Sequence, residues 1–255
     1  MIKDWQYKQY VRELKSVPLI PKGWGGRKQN DIDDSIVKDL LFRTYKYNDL
    51  ISKLEKLNLL DSKDYYIKRW MMILLEKCDR YLFSQYDCVE DNPNYKDQEY
   101  DFKINNSKLD LKSTRISKEL LEKYTGKKFY ELDDEEYKNA MMHFINNPDE
   151  MIHFLYENQS TGVRYSLHNR LFLITADLTS KNNYNDEFDL RLDFDNKDKL
   201  INDFITSFNE DSLNTYEFYN LKTKRFERVK AKAIFLYKTN EGLFYSLGKQ
   251  LAYSI

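Results

Sequence analysis

Residues that could carry chemistry are concentrated in one short stretch, positions 99–114, which reads EYDFKINNSKLDLKST. Asn105 and Asn106 predict the two-residue turn of a β-hairpin, because asparagine tolerates the positive φ that such a turn requires. A turn at this point fixes the pairing register of the two strands. The predicted cross-strand pairs are Ile104–Ser107, Lys103–Lys108, Phe102–Leu109, Asp101–Asp110, Tyr100–Leu111 and Glu99–Lys112.

Alternation of side chains along a strand gives this hairpin one apolar and one charged face. The apolar face is predicted to hold Tyr100, Phe102, Ile104, Leu109 and Leu111. The charged face is predicted to hold Glu99, Asp101, Asp110 and Lys112. Aspartates that oppose each other across a ladder repel, at a cost of a few tenths to about 1 kcal/mol. A divalent cation would relieve this repulsion, and Mg²⁺ typically binds one or two carboxylates together with water and substrate phosphate.

Lys112 follows Asp110 with one residue between them, so both side chains point to the same face of the strand. Its ammonium group could stabilise an attacking hydroxide or a pentacovalent phosphate. The alternative interpretation is an exposed hairpin whose polar face is only solvated, with Glu99 and Lys112 in an ordinary cross-strand ion pair. The opposed aspartates, the hairpin spacing and the apolar packing face favour the catalytic interpretation.

This pattern resembles a known active-site signature. Asp101, then eight intervening residues, then Asp110-Leu111-Lys112 is similar to the motif of the PD-(D/E)xK nuclease superfamily. The resemblance implies that Asp101 and Asp110, with the carbonyl of Leu111, hold Mg²⁺. It also implies that Lys112 assists the hydrolytic water. The proline of the family signature is absent, since Tyr100 precedes Asp101.

A long helix is predicted over residues 64–86, ahead of the hairpin. Its apolar face consists of Ile67, Met71, Leu74, Leu75, Cys78 and Leu82. Glu76 lies at the edge of that face. In the superfamily a helix in this position often supplies an extra glutamate to the metal site, so the resemblance makes Glu76 a candidate catalytic residue. A solvated helix glutamate is the alternative.

Helical and strand patterns alternate along the rest of the chain. Helices are predicted at 1–20, 31–60, 117–128, 133–146, 148–158 and 199–209. Strands are predicted at Arg170–Asp177, Thr215–Leu221 and Arg225–Tyr237, and the acidic run 185–198 is interpreted as a solvated linker. This order predicts an α/β fold with a mixed central β-sheet flanked by helices. By resemblance it is a restriction-endonuclease-like core at 61–255, on which a helical addition at 1–60 packs.

A basic segment is the best candidate for contact with phosphate. It holds Lys222, Lys224, Arg225, Arg228, Lys230 and Lys232, opposed only by Glu227. Arg115, just after the hairpin, extends towards the same predicted site and is a further candidate DNA contact. A strand edge protected by solvated lysines is the alternative interpretation of the segment.

Composition limits the class of protein. The chain has 255 residues, 41% of them hydrophobic and 15% aromatic, which is enough to bury a core. Its net charge of −1 means that any surface for nucleic acid must be local. Cys78 and Cys88 form neither a disulfide framework nor a zinc pattern. We expect a cytoplasmic protein without a membrane partner, because the chain has neither a signal-peptide pattern nor a long apolar run.

These observations together predict a Mg²⁺-dependent endonuclease that hydrolyses phosphodiester bonds of double-stranded DNA. By resemblance it is a type II restriction-type enzyme, and such enzymes usually form homodimers because duplex targets are often two-fold symmetric. One alternative is a repair, phage or defence nuclease without strict sequence specificity. Another is a non-catalytic nucleic-acid-binding protein in which the Asp-x-Lys pattern is incidental. RNA stays open as a substrate.

Overall fold

The chain divides into two units, Met1–Leu82 and Phe83–Ile255. The computed structural model describes residues 2–22, 40–94, 99–158, 167–186, 188–220, 223–248 and 253–254. In the part of the chain it describes, the first unit is helical and the second unit holds a β-sheet. The packing of an N-terminal helical region on an α/β core stays a prediction.

The first unit contains α1 (Asp4–Lys15), α2 (Tyr47–Lys56), a 3₁₀ turn (Leu60–Ser62) and α3 (Lys63–Phe83). Leu50 and Leu54 lie one turn apart on α2 and are fully buried. The buried indole N–H of Trp70 donates to the Thr44 carbonyl over 2.8 Å. These helices confirm the predicted helices at 1–20 and 64–86, and α2 confirms the later part of the one at 31–60. Residues 31–39 lie outside the described residues.

The second unit is built on a mixed β-sheet. Its strands are β1 (Val89–Asp91), β2 (Phe102–Ile104), β3 (Ser107–Thr114), β4 (Arg170–Asp177), β5 (Asn214–Asn220), β6 (Arg225–Thr239), β7 (Gly242–Ser246) and β8 (Tyr253–Ser254). They lie in the order β1-β2-β3-β4-β6-β7-β8, with β5 paired to β6. β4 runs parallel to both β3 and β6, and the other pairs are antiparallel. The predicted strands at 170–177, 215–221 and 225–237 are confirmed, with shifts of one or two residues at some ends.

Three helices, as predicted from the sequence, connect β3 to β4: α4 (Lys118–Thr125), α5 (Asp134–Asn146) and α6 (Pro148–Glu157). The Ser117 hydroxyl begins α4 by accepting a hydrogen bond from the Leu120 N–H at 3.2 Å, and Gly126 ends it at φ +70°. Asp133 caps α5 through its side chain, and Pro148 stands at the start of α6. Local capping therefore sets the bounds of these helices.

Strand β4 is buried along almost its whole length, and only Asp177 is partly exposed. It lies between β3 and β6, so its backbone is paired on both edges. Phe172, Ile174 and Ala176 project from one of its faces into a core shared with α4, α5 and α6. A strand covered in this way reads as a continuous apolar run, which is why the sequence predicts it well.

The acidic run 185–198 is not a solvated linker, and this prediction is wrong. The segment contains α7 (Phe188–Arg191) and the start of α8 (Phe194–Ser207). Phe188, Leu190 and Phe194 are buried, and the buried face of α8 continues through Leu200, Ile201 and Phe204. The many aspartates occupy the solvent side and hide the helical spacing of these apolar residues.

The second unit is therefore an α/β fold with a mixed β-sheet and flanking helices. Among the described helices, none combines the length and apolar character that a bilayer span needs.

Replacing Ile174 with alanine should strongly destabilise the protein. Its side chain is fully buried on the central strand, where large-to-small changes cost about 2–5 kcal/mol. Urea unfolding followed by circular dichroism measures the loss. Leu243→Ala, at a partly exposed position on β7, is the matched control and should lose much less. Similar losses in the two variants would contradict the central position of β4.

Candidate active site

The hairpin of β2 and β3 forms as predicted near its turn. Asn105 adopts φ +53°, and the ladder pairs Ile104 with Ser107, Lys103 with Lys108 and Phe102 with Leu109. The ladder ends there. The predicted pairs Asp101–Asp110, Tyr100–Leu111 and Glu99–Lys112 do not form, so the expected direct opposition of two aspartates is wrong.

Asn92 explains why the ladder stops. Its side-chain amide donates to the Tyr100 carbonyl over 2.8 Å, and its backbone N–H donates to the Asp101 carbonyl over 2.9 Å. The Asp101 N–H still donates to the Leu109 carbonyl over 2.9 Å, so the chain stays beside β3 but leaves the regular ladder at Asp101. The Asp101 carboxylate then takes over the role of a backbone carbonyl, because it accepts a hydrogen bond from the Leu111 N–H at 2.8 Å. Asp101 therefore lies beside the peptide that joins Asp110 to Leu111.

The Asp110 carboxylate contacts two cationic side chains. Its Oδ1 lies 2.7 Å from Lys112 Nζ, and its Oδ2 lies 3.2 Å from Arg170 Nε. Arg170 reaches it because the two residues are register partners on the parallel strands β3 and β4. The exposed fractions are 10% for the Asp110 side chain, 8% for Arg170 and 47% for Lys112. Arg170 thus forms a buried ion pair, whereas Lys112 reaches solvent.

Arg170 is held in place from its other side. Its guanidinium carbon lies 4.8 Å from the ring centroid of Tyr156, at cation–π distance. The Tyr156 hydroxyl donates to the His168 carbonyl over 2.6 Å. Burial raises the pKa of this hydroxyl, and Arg170 partly opposes the rise, so Tyr156 stays neutral at ordinary pH.

Sequence reasoning missed Arg170. It was interpreted only as the first residue of a buried strand. A cationic side chain at the start of an apolar strand could have indicated a buried ion pair, because a buried charge needs a partner. Its partner follows only from the parallel register of β3 and β4, which joins residues 60 positions apart.

The donor set fits Mg²⁺ in type, because Asp101 and Asp110 offer hard carboxylate oxygens. Among the described residues, no group of three or more His, Cys, Asp and Glu side chains is placed to hold a metal ion. The charge of Asp110 is also balanced by Lys112 and Arg170 already. A cation at this site would therefore share Asp110 with one of them or displace it.

Two further predicted site residues are Glu76 and Arg115. Glu76 is exposed on α3, in the first unit, and its part in the site stays a prediction. Arg115 packs over the ring of Tyr184, with its guanidinium carbon 4.2 Å from the ring centroid, and donates to the Tyr184 carbonyl over 3.0 Å. Arg115 thus anchors the 3₁₀ turn Lys181–Asn185.

The predicted DNA-contacting residues after β5 lie on the hairpin of β5 and β6. Lys224, Arg225 and Arg228 are exposed there. Lys224 takes φ +55° in the turn, and Arg228 Nε lies 3.3 Å from Glu217 Oε1 on the facing strand. Lys222 lies outside the described residues. The exposed basic side chains are therefore presented to solvent by a turn and the start of a strand.

No protein-family model, no curated protein and no solved structure matches this chain. The resemblance to the PD-(D/E)xK nucleases therefore depends on Asp101, Asp110, Leu111, Lys112 and the order of the elements around them.

Replacing Asp110 with asparagine should destabilise the protein by about 3 kcal/mol or more. The change removes the carboxylate charge that faces the buried Arg170, and breaking a buried ion pair costs about 3–5 kcal/mol. Chemical unfolding in EDTA measures the loss.

The double variant Asp110→Asn with Arg170→Met is the control, and it should recover most of that stability because no buried charge is left unpaired. An Asp110→Asn protein at least as stable as the wild type would contradict this account. It would mean that repulsion between Asp101 and Asp110 outweighs the pair with Arg170.

Proposed function

We propose that this chain is a Mg²⁺-dependent endonuclease that hydrolyses DNA phosphodiester bonds at Asp101, Asp110 and Lys112. One observation carries the proposal: the hairpin sets the Asp101 carboxylate against the peptide N–H that follows Asp110, and it holds a half-exposed lysine against the Asp110 carboxylate. Asp101 bonds to the Leu111 N–H, and Lys112 Nζ lies 2.7 Å from Asp110. Apart from the absent proline, these are the residue types of the PD-(D/E)xK signature, in the same order.

Each residue of the proposed site has a distinct role. Asp101, Asp110 and the Leu111 carbonyl would hold the metal. When bound, Mg²⁺ supplies polarisation of the phosphate and a lowered pKa of a bound water. Arg170 keeps hold of Asp110 and orients its carboxylate. Lys112, with about half of its side chain exposed, leaves Asp110 and orients the attacking water while offsetting charge on the phosphate.

The sheet supports a restriction-endonuclease-like core as part of the proposal. A long helix precedes the acidic hairpin, helices follow it, and a buried parallel strand then pairs with the strand that bears Asp110. We propose double-stranded DNA as the substrate, a type II restriction-type enzyme as the leading identity and a homodimer as its form. A repair, phage or defence nuclease with relaxed specificity shares the same site chemistry.

A non-catalytic nucleic-acid-binding protein is the second candidate, and the buried Asp110–Arg170 pair favours it. The cluster of Asp101, Asp110, Lys112 and Arg170 carries no net charge, so it attracts a cation less strongly than two unpaired carboxylates would. In that case the ion pair only holds β3 to β4.

Plasmid digestion separates these functions. With Mg²⁺, discrete fragments mean specific cutting, a smear means non-specific cutting, and intact DNA favours the binding protein.

Lys112→Ala should abolish cleavage while folding and DNA binding persist, because the ion pair of this half-exposed lysine contributes only about 1 kcal/mol or less. Lys108→Ala, an exposed lysine on the same strand, is the control and should cut normally. Near wild-type cutting by Lys112→Ala would refute the site.

Neutralising Lys224, Arg225 and Arg228 together should weaken DNA binding and reduce its dependence on salt. Each lost phosphate contact lowers the log–log slope of affinity against salt by about 0.9. Fluorescence anisotropy over a salt series measures the slope. The control neutralises Lys127, Lys128 and Lys199, which are exposed elsewhere on the second unit and give the same change in net charge. Equal slopes in the two triple variants would show that the hairpin does not face DNA.

A further inference from the structure

The hairpin of β5 and β6 presents an aromatic pair to solvent. Tyr219 and Phe226 are register partners, and their ring centroids lie 5.3 Å apart at an interplanar angle of 66°. Tyr219 is 46% exposed and Phe226 is 68% exposed. Isolated exposed aromatics are common on proteins, but two that contact each other across a ladder form a continuous apolar platform.

This platform lies on the solvent face of the hairpin. Tyr216, Phe218 and Val229 alternate with it along the strands and are buried in the core. The exposed rings are therefore not displaced core residues, since the hairpin already fills the core with its other face. Burial on one face holds the backbone and fixes where the two exposed rings stand.

The platform is bordered by positive charge. Arg228 and Lys230 follow Phe226 on the same face of β6, and Lys224 and Arg225 lie at the turn. Residues 214–231 contain five Lys and Arg and two Glu, a net charge of 5 − 2 = +3, whereas the whole chain carries −1. Of the two acids, Glu217 lies on the face of the rings and pairs with Arg228 at 3.3 Å, and Glu227 accepts a hydrogen bond from the Thr223 hydroxyl over 2.6 Å. Lys224, Arg225 and Lys230 then supply the positive charge around the rings. The surface around the rings is complementary to a polyanion.

We infer that this platform, Tyr219 and Phe226 with the basic residues around them, binds unpaired bases of single-stranded DNA. The inference rests on the proposed function, in that it takes nucleic acid to be the substrate. Aromatic rings stack on the faces of bases, and nearby Lys and Arg contact the phosphates. Bases in an intact duplex already stack on one another, so the platform needs a strand with free bases. It would contact single-stranded segments in or beside the substrate.

The test measures binding in EDTA, so that cleavage plays no part. Labelled single-stranded DNA and a duplex of the same sequence are titrated by fluorescence anisotropy at one salt concentration. Phe226→Ala and Tyr219→Ala should each weaken single-strand binding by about 5-fold to about 150-fold, the equivalent of one base stack. Duplex binding should change less than about 2-fold. Phe226→Trp should retain single-strand affinity, because the larger ring still stacks.

Tyr130→Ala is the matched control, because Tyr130 is an exposed aromatic residue elsewhere on the second unit, and it should leave both affinities unchanged. Equal losses for single strand and duplex, or no loss in the alanine variants, would overturn the inference. Plasmid digestion shows whether the single-strand inference or the proposed nuclease function has failed. Mg²⁺-dependent cutting by a Phe226→Ala protein whose single-strand affinity is unchanged overturns the platform and leaves the nuclease. Selective loss of single-strand binding in a protein that never cuts supports the platform and overturns the nuclease.

Discussion

The buried ion pair between Asp110 and Arg170 is the interaction on which the candidate site depends. It joins the β2–β3 hairpin to the central strand at the point where β3 and β4 begin to pair in parallel. A charge placed there without a partner would be costly, and the parallel register of the two strands brings the two charges together. The same register sets which side of β3 carries Lys112 and where the Asp101 carboxylate can bond to the backbone.

The pair also sets the chemistry available to Asp110. One carboxylate oxygen is committed to a buried arginine, and the other to a lysine that reaches solvent. The second contact can be exchanged at low cost, because a half-exposed ion pair contributes little to stability. The first cannot. In the proposed function, this asymmetry lets Arg170 position Asp110 while the half-exposed Lys112 acts on the substrate.

Local features of this fold are predictable from the sequence, and non-local ones are not. The Asn105 turn, the capping of α4 and α5 and the apolar run of β4 each depend on neighbouring residues, so pattern and propensity identify them. The length of the β2–β3 ladder depends on Asn92, which lies outside the hairpin. The partner of Asp110 depends on a parallel crossover. The aspartates between the buried residues concealed α7 and the start of α8, and two of the buried residues there, Arg191 and Lys197, are themselves charged.

We propose that Asp101 and Asp110 form a cation site although Asp110 already has cationic partners. Thermal melting of the wild type and of Asp110→Asn, each in EDTA and in millimolar Ca²⁺ with a cleavage-resistant duplex, tests it most directly. A ligand that binds only the native state raises its stability by RT ln(1 + [L]/Kd). The account predicts that Ca²⁺ raises the melting temperature of the wild type and leaves that of Asp110→Asn unchanged. Equal responses in the two proteins, or no response in the wild type, would contradict it.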